Sequence, residues 1–296
     1  MQLQEILPAE IIRINEPMSK HTSFRIGGPA DILVMPRTVE DVMTAMKWAV
    51  DNNVKYLLVG AGSNMLVRDG GFRGMIIKLG SNFKGIEVAG LTVKAKAGTK
   101  LAELARKAAE NGLSGLEFAE GIPGTVGGAV YMNAGAYDGQ MSNVVKMVTV
   151  LSNGELQDIK ASDLGFGYRK SVFQAKHDLI LEVEMMLSPG DPERIREKMK
   201  GFAHSRKEKQ PLEFPSAGSV FKRPEGKYVG PMIEELGLKG YRIGDAEIST
   251  KHAGFIVNKG EAKAAEVLEL ISYIQSRVRE KFSVELETEV LIIGED

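Results

Sequence analysis

The chain has 296 residues, 43% of them hydrophobic and 26% charged, a net charge of −1 from 38 basic and 39 acidic side chains, and no cysteine. This is the composition of an ordinary globular protein of two or three domains, with no global basic field to hold nucleic acid. Without thiols there are no disulfides, cysteine nucleophiles, zinc–thiolate sites or iron–sulfur clusters.

Four histidines, His21, His177, His204 and His252, are scattered without metal-ligand spacing, so no metal site is expected. No apolar run approaches the ~20 residues of a membrane span. The first residues lack the basic start and apolar core of a signal peptide. A cytoplasmic protein with no membrane or nucleic-acid partner is expected.

Strands and helices alternate through the first half. Residues 31–35 read as a strand. Thr38, with Asp41 three residues on, marks a helix start, and Val42, Met43, Met46, Ala49 and Val50 recur at helical spacing. Residues 56–59 form a short apolar strand that runs into Gly60-Ala61-Gly62-Ser63-Asn64. Residues 75–79 are another strand, and 91–97 alternate apolar and polar as a half-buried strand does. Leu101, Leu104, Ala105 and Ala108 mark a second amphipathic helix, closed by Asn111-Gly112.

Next comes the most informative stretch, Gly121-Ile122-Pro123-Gly124-Thr125-Val126-Gly127-Gly128, continued by Tyr131-Met132-Asn133-Ala134-Gly135-Ala136-Tyr137. Such a run bends sharply and lets backbone approach a ligand closely. Amides exposed at such turns form anion nests. Two close-approach loops point to a dinucleotide, although tight turns in a strand-rich protein would leave a similar trace. The first loop is not a Rossmann fingerprint: the third glycine would fall at Met65, and Asp69-Gly70-Gly71 interrupts where a long helix should open. No Walker A motif exists.

From 143 to 187 the signal is mostly β. Strands at 148–151 and 155–159 flank Ser152-Asn153-Gly154, a hairpin signal, and 179–187 is a further strand. The turn cluster 188–193 ends in Asp191 and Pro192, a helix start and the expected domain boundary. The last hundred residues read as another α/β unit. It contains a short helix near 231–236, a strand 253–258, a helix 261–282 with stripe Ala264, Val267, Leu268, Ile271 and Ile274, and a closing strand 284–293. The expectation is an α+β chain of two lobes.

Five stretches, in order and across nearly the whole chain, resemble the UDP-N-acetylenolpyruvoylglucosamine reductase (MurB) family. They are His21-Thr22-Ser23-Phe24-Arg25-Ile26-Gly27-Gly28, Gly60 to Asn64, Gly121 to Tyr137, Tyr168-Arg169-Lys170-Ser171-Val172-Phe173, and Ser216-Ala217-Gly218-Ser219-Val220-Phe221-Lys222; Thr288-Glu289-Val290 is a sixth. The resemblance implies a vanillyl-alcohol-oxidase-type (PCMH-type) FAD-binding fold of two subdomains and a C-terminal α/β substrate-binding domain. Residues 1–190 would bind FAD, with the subdomains split near 80–90. Residues 191–296 would bind substrate, the final strand returning to the active site. The chain is similar to the shorter class, without the longer class's extra tyrosine-bearing loop.

The resemblance further implies noncovalent FAD, NADPH as co-substrate, and reduction of the enolpyruvyl ether of UDP-N-acetylglucosamine to UDP-N-acetylmuramate for peptidoglycan. The flavin carries the redox step, passing hydride to C3 of the substrate, and the protein supplies orientation and charge. Arg169, Ser219 and Glu289 match the family's catalytic positions, with Arg169 and Glu289 on the enolate and Ser219 giving the proton to C2. Expected cofactor contacts are Gly60, Ala61, Gly62, Ser63, Asn64, Gly121, Ile122, Gly124, Thr125, Gly127, Gly128, Asn133 and Gly135. Expected substrate contacts are Tyr168, Lys209, Lys222, Arg223, Lys239, His252 and Asn258.

Taken alone, Arg169 also fits a surface turn, Ser219 a turn serine, and Glu289, alternating with Glu285 and Glu287, a solvated acidic strand face. A flavin-dependent alcohol oxidase of the same fold and a non-catalytic nucleotide-binding module are the competing functional readings.

Overall fold

The structure is a computed structural model that describes residues 2–176 and 178–296; Met1 and His177 lie outside the described residues. The chain divides into two units. The first comprises Met1–Arg13, Leu33–Ala61 and Met75–Arg206, and the second Ile14–Ile32, Gly62–Gly74 and Lys207–Asp296.

In the first unit, local signals decide local structure. Thr38 Oγ1 accepts from the Asp41 amide at 3.1 Å while the Asp41 carboxylate reaches back to the Thr38 amide, a reciprocal cap that starts the helix Val39–Asp51. That helix buries Val42, Ala45, Met46 and Ala49. The strand Tyr56–Val59 pairs in parallel with Met75 to Lys78.

A five-stranded antiparallel sheet follows in the order Glu155–Lys160, Val145–Ser152, Leu179–Met186, Thr92–Lys96, Ile86–Ala89. Its first hairpin closes through Asn153 and Gly154 at φ 51° and 85°, the left-handed pair that matches strand twist. Lys94 and Lys146 both reach Glu184 on the central strand, at 3.3 and 2.8 Å. The helix Leu101–Glu110 buries Leu101, Leu104, Ala105, Ala108 and Ala109.

The boundary expected at 188–193 falls inside this unit. The helix Pro192–Lys209 starts where expected, with Asp191 Oδ1 accepting from the Glu193 amide at 2.9 Å. It nevertheless stays with the first unit as far as Arg206. Aromatic packing is the reason, since Phe202 stacks on Tyr137 with centroids 4.2 Å apart.

The second unit is built on a four-stranded antiparallel sheet, Ser216–Ser219, Phe255–Asn258, Ala246–Ile248, Arg242–Ile243. The helix Ala264–Phe282 buries Ala264, Val267, Leu270, Ile271, Ile274 and Val278 in one core with Phe24, Ile26, Leu66, Ile256 and Leu286. The strand Leu291–Ile293 pairs in parallel with Met65–Val67.

The expected strand 284–293 is therefore present only at its end. Ser283 ends the helix in the left-handed region at φ 54°. Glu285 then turns back to Arg279, 2.7 Å from its Nη2. Before residue 291 the segment forms no named strand and runs beside residues 220–222, through the isolated bridge Phe221 to Thr288 and backbone bonds at Val220 and Lys222. The three glutamates do not form one solvated strand face: Glu285 pairs with Arg279, Glu287 with Lys222, and Glu289 is half-buried.

The start of the helix Ala264–Phe282 is held by a residue remote in sequence. The two oxygens of Asp69 accept from the Ala264 and Ala265 amides at 2.9 and 3.0 Å. A carboxylate there satisfies two otherwise open donors and suits the positive end of the helix. Asp69→Ala is expected to cost about 1–2 kcal/mol of stability, read from urea denaturation, with Asp69→Asn losing less.

Candidate active site

In the first unit the glycine-rich stretch meets the first loop. Thr125 caps the short helix Val126–Tyr131, its Oγ1 accepting from the Gly128 amide at 3.4 Å. Gly60 lies against that hydroxyl, so that a Cβ on Gly60 would sit 2.3 Å from Thr125 Oγ1. No other residue fits without moving the cap. Gly127 closes on Ala97, while Gly128 is exposed. Ala61 is exposed, and Ile122, Gly124 and Gly135 are half-buried.

The amides of Gly124 and Thr125 donate to no described residue, although Thr125 is only 3% exposed. Adjacent uncommitted N–H groups at a glycine turn suit the acceptor atoms of a dinucleotide. On this donor set the residues present fit FAD. Asn133 is occupied differently. Its Nδ2 donates to Gly167 O at 3.0 Å and its Oδ1 accepts from the Ser142 amide at 2.9 Å, so it braces the Tyr168–Arg169 turn from within.

That turn is tight: Gly167 and Lys170 exchange backbone bonds of 3.1 and 3.2 Å. Arg169 occupies the third turn position at φ 54°, where glycine or asparagine is usual. Gln174 Nε2 donates to Arg169 O at 2.9 Å, and Arg169 Nη1 donates to Gly135 O at 3.3 Å. A bulky residue held left-handed by its surroundings is the kind of outlier that marks a site. Tyr168 is exposed, with the Arg169 guanidinium 5.4 Å from its ring centroid.

In the second unit the other predicted segments converge. Gly218, at φ +79° with open space about it, makes an irregularity in the strand Ser216–Ser219. The bulge re-aims Ser219, whose hydroxyl makes no hydrogen bond to the described residues. The next residue, Val220, accepts at its carbonyl from the Glu289 amide at 2.7 Å. Asn64 clasps the same segment, its Nδ2 donating to Glu289 O at 3.0 Å and its carbonyl accepting from the Leu291 amide at 3.0 Å. Asn64 thus positions Glu289. Gly62 lies against the His21 carbonyl, and Ser63 is half-buried beside it in sequence. Ser23 Oγ donates to Ser216 O at 2.7 Å, which joins the His21 to Gly28 stretch to the Ser219 strand.

Expected substrate contacts divide into two groups. Lys222 pairs with Glu287 at 3.0 Å and Lys239 with Glu234 at 2.7 Å. Arg223 covers Tyr228 at 4.4 Å, and Lys209 is exposed at the end of its helix. Asn258 is different. It is 3% exposed, donates to Phe24 O at 3.2 Å and accepts from the Gly260 and Ala262 amides, both at 3.0 Å. The structure spends it on the scaffold rather than on a polar edge of a ligand.

Arg206, absent from the sequence reading, is the largest surprise. It is buried on the stripe of Ile195, Met199 and Phe202 in an otherwise highly charged helix. That spacing was the available signal for it.

The comparisons with known proteins agree with this geometry. The family described as "FAD binding domain" matches residues 30–160. A crystal structure of alkyldihydroxyacetonephosphate synthase, 16% identical, superposes with a TM-score of 0.50 over 63% of this chain and 40% of that one, a likeness of fold alone. The chain is thus a flavoprotein with the expected vanillyl-alcohol-oxidase-type FAD-binding fold.

The family described as "UDP-N-acetylenolpyruvoylglucosamine reductase, C-terminal domain" matches residues 210–293. The reductase of that name from Syntrophomonas wolfei is 49% identical over 100% of this chain and 99% of that protein. The one from Clostridium tetani is 48% identical over 99% and 96%. The crystal structure of the reductase (MurB) from Thermus caldophilus, 37% identical, superposes with a TM-score of 0.83 over 96% of this chain and 98% of that one. The chain belongs to the UDP-N-acetylenolpyruvoylglucosamine reductase family.

His252 sets a pH dependence within the second unit. Burial pushes its protonation below the ordinary imidazole range. Its own backbone and Glu234 oppose this weakly, and Lys239 reinforces it. Nδ1 accepts from the Gly254 amide at 3.1 Å, which places the proton of the neutral ring on Nε2. With the folded value depressed, the unfolded chain takes up the proton first. Stability is full above about pH 6.5 and falls as pH drops below it. His252→Gln is expected to flatten that part of the stability curve, checked by urea denaturation at about pH 7.5 and about pH 5.5.

Proposed function

We propose that the chain reduces the enolpyruvyl ether of UDP-N-acetylglucosamine to the lactyl ether of UDP-N-acetylmuramate, a step of peptidoglycan precursor synthesis, with NADPH as reductant. The observation that carries the residue assignment is the clasp joining Val220, Asn64 and Glu289 in the second unit. It brings a hydroxyl-bearing and a carboxylate-bearing residue onto hydrogen-bonded backbone. FAD, held without a covalent bond, supplies the hydride for C3 of the substrate.

The remaining tasks fall to side chains. Arg169 presents a permanently charged planar fork to the substrate carboxylate, into which charge moves as the C2 carbanion forms. Its turn is braced on both sides, by Gln174 and by Asn133 through Gly167, so little reorganisation is needed when that charge develops. Ser219 donates its proton to C2. An ordinary hydroxyl is a weak acid, so this role requires a strongly basic carbanion and a dry surrounding. A hydroxyl with no hydrogen bond to the described residues meets the geometric half of that requirement. Glu289 lies along the same clasp and steadies the enolate, protonated or through a water. Together the hydride at C3 and the proton at C2 saturate the double bond.

Lys222, Arg223 and Lys239, with Lys209, supply cations of the kind a diphosphate requires. The lack of cysteine fits a reducing, cytoplasmic setting. Among the described residues, no helix is long and apolar enough to cross a membrane.

Anaerobic spectroscopy tests this reading. NADPH should bleach the yellow holoenzyme, and the enolpyruvyl nucleotide should restore the colour. In Ser219→Ala the bleaching rate should stay near wild type while the recovery slows by ~10²–10⁴-fold. Equal loss in both halves would remove Ser219 from the proton-donor role. Steady peroxide production from alcohols, with no response to the nucleotide, would replace the reductase reading by an oxidase.

A further inference from the structure

Glu120 stands immediately before Gly121-Ile122-Pro123-Gly124, inside the matched FAD-binding region 30–160. It occupies the second position of a tight turn. The Ile122 amide donates to Ala119 O at 3.1 Å, Glu120 has φ −60° and ψ 126°, and Gly121 has φ 76°. These are the angles of a type II turn, which asks for glycine at its third position. The buried run Glu117 to Ala119 anchors the turn in the core, so the Glu120 side chain has a fixed mount.

Two glutamates lie on this segment, and they differ in what they meet. The Glu117 carboxylate accepts from Ser114 Oγ at 2.6 Å and from the Gly115 amide at 2.8 Å. The Glu120 side chain is 18% exposed, yet its Oε2 is buried and has no hydrogen-bond partner among the described residues. Its Oε1 lies 4.0 Å from Nη1 of Arg106, an exposed side chain. So long and open a pair compensates little. A carboxylate oxygen withdrawn from water without a donor is held at a cost to the fold.

Further along the same stretch the Gly124 and Thr125 amides are donors without acceptors. Glu120 Oε2 is an acceptor without a donor. Together they ask for a ligand with acceptors and donors side by side, and a diphosphate flanked by sugar hydroxyls has that pattern. Phosphate oxygens suit the amides. They would repel the carboxylate, so the partner of Oε2 is the neutral donor next to them. Carboxylates hold ribose hydroxyls in this way in other dinucleotide sites.

We propose that Glu120 is a cofactor-binding residue whose Oε2 accepts a hydrogen bond from a sugar hydroxyl beside the diphosphate of FAD. Two parts of FAD carry such hydroxyls, the ribityl chain and the adenosine ribose. The proposal rests on the flavin assignment and not on the enolpyruvyl reaction.

FAD is stripped from the protein, and its rebinding to the FAD-free chain is followed by flavin fluorescence. Glu120→Ala should bind FAD roughly 10–100-fold more weakly, the loss expected when a hydrogen bond to a charged group goes. Glu120→Gln keeps a neutral acceptor and should lose less. The FAD-free Glu120→Ala protein should melt at or above the wild-type temperature, because an unpaired buried oxygen is gone. Arg106→Ala should bind FAD as the wild type does, since Arg106 faces the other oxygen. Competition by ADP separates the two sources. Weaker FAD binding with weaker ADP competition places the hydroxyl on the adenosine ribose. Weaker FAD binding with ADP competition unchanged places it on the ribityl chain; either supports the proposal.

Wild-type FAD affinity in both Glu120 variants overturns it, whatever the melting temperatures. An equal loss of FAD affinity in Arg106→Ala also overturns it, by making the ion pair a structural brace. Should Glu120→Ala give no folded protein, Glu120→Gln decides by the same titration. A wild-type protein that binds FAD but does not turn over the enolpyruvyl nucleotide fails the proposed reaction alone, and the titration still judges Glu120.

Discussion

The proposed placement of Ser219 beside Glu289 depends on one backbone hydrogen bond, from the Glu289 amide to the Val220 carbonyl at 2.7 Å. It joins segments far apart in sequence, and Asn64 secures it from the other side through its side-chain amide and its carbonyl. Because these bonds are made by backbone and by Asn64, fixing the pair does not consume the Ser219 hydroxyl. That economy is what a site needs: rigid supports, with the reactive group left over. The bulge at Gly218 belongs to the same design, since a regular ladder would keep Ser219 in the alternation of its strand.

Hydrogen-bond satisfaction sorts the polar residues into two populations. Asn258, Asn133 and Asn64 are engaged with the protein itself. They look like binding residues in a sequence and act as joints in the fold. The Gly124 and Thr125 amides, the Ser219 hydroxyl and the Arg206 guanidinium have no partner among the described residues. Buried polar groups are nearly always paired, so groups left over within each unit point to a ligand. The sorting uses only burial and bonding, and it agrees with a family match that rests on sequence alone.

Where a feature rests on neighbours in sequence, it could be read in advance. The Thr38–Asp41 cap, the Asn153-Gly154 hairpin and the Asp191-Pro192 helix start all appear where the residues put them. Features that rest on distant partners could not. The segment before Leu291 has the alternation of a strand, yet Glu285 is drawn to Arg279 and Glu287 to Lys222, so the ladder forms only at the end. The boundary at 188–193 has every local sign of a linker, but the stacking of Phe202 on Tyr137 keeps the following helix in the first unit. Asn258 ends a strand as expected and then turns its side chain inward to Phe24, a partner more than two hundred positions away. The proposed catalytic set rests on the family pattern, because neither an arginine in a turn nor a serine after glycine is distinctive by itself.

The cations of the two units are prepared differently. Lys222 and Lys239 already hold carboxylates, Glu287 and Glu234, and Arg223 lies over Tyr228. Such exposed pairs are worth about 0–1 kcal/mol each. A diphosphate can exchange with them at little cost, through contacts that salt weakens. They suit a ligand that must arrive and leave in every cycle. Arg206 has no carboxylate to give up and is shielded from solvent. In the proposed assignment, exposed paired lysines serve the diphosphate, the part of the ligand that must leave in every cycle.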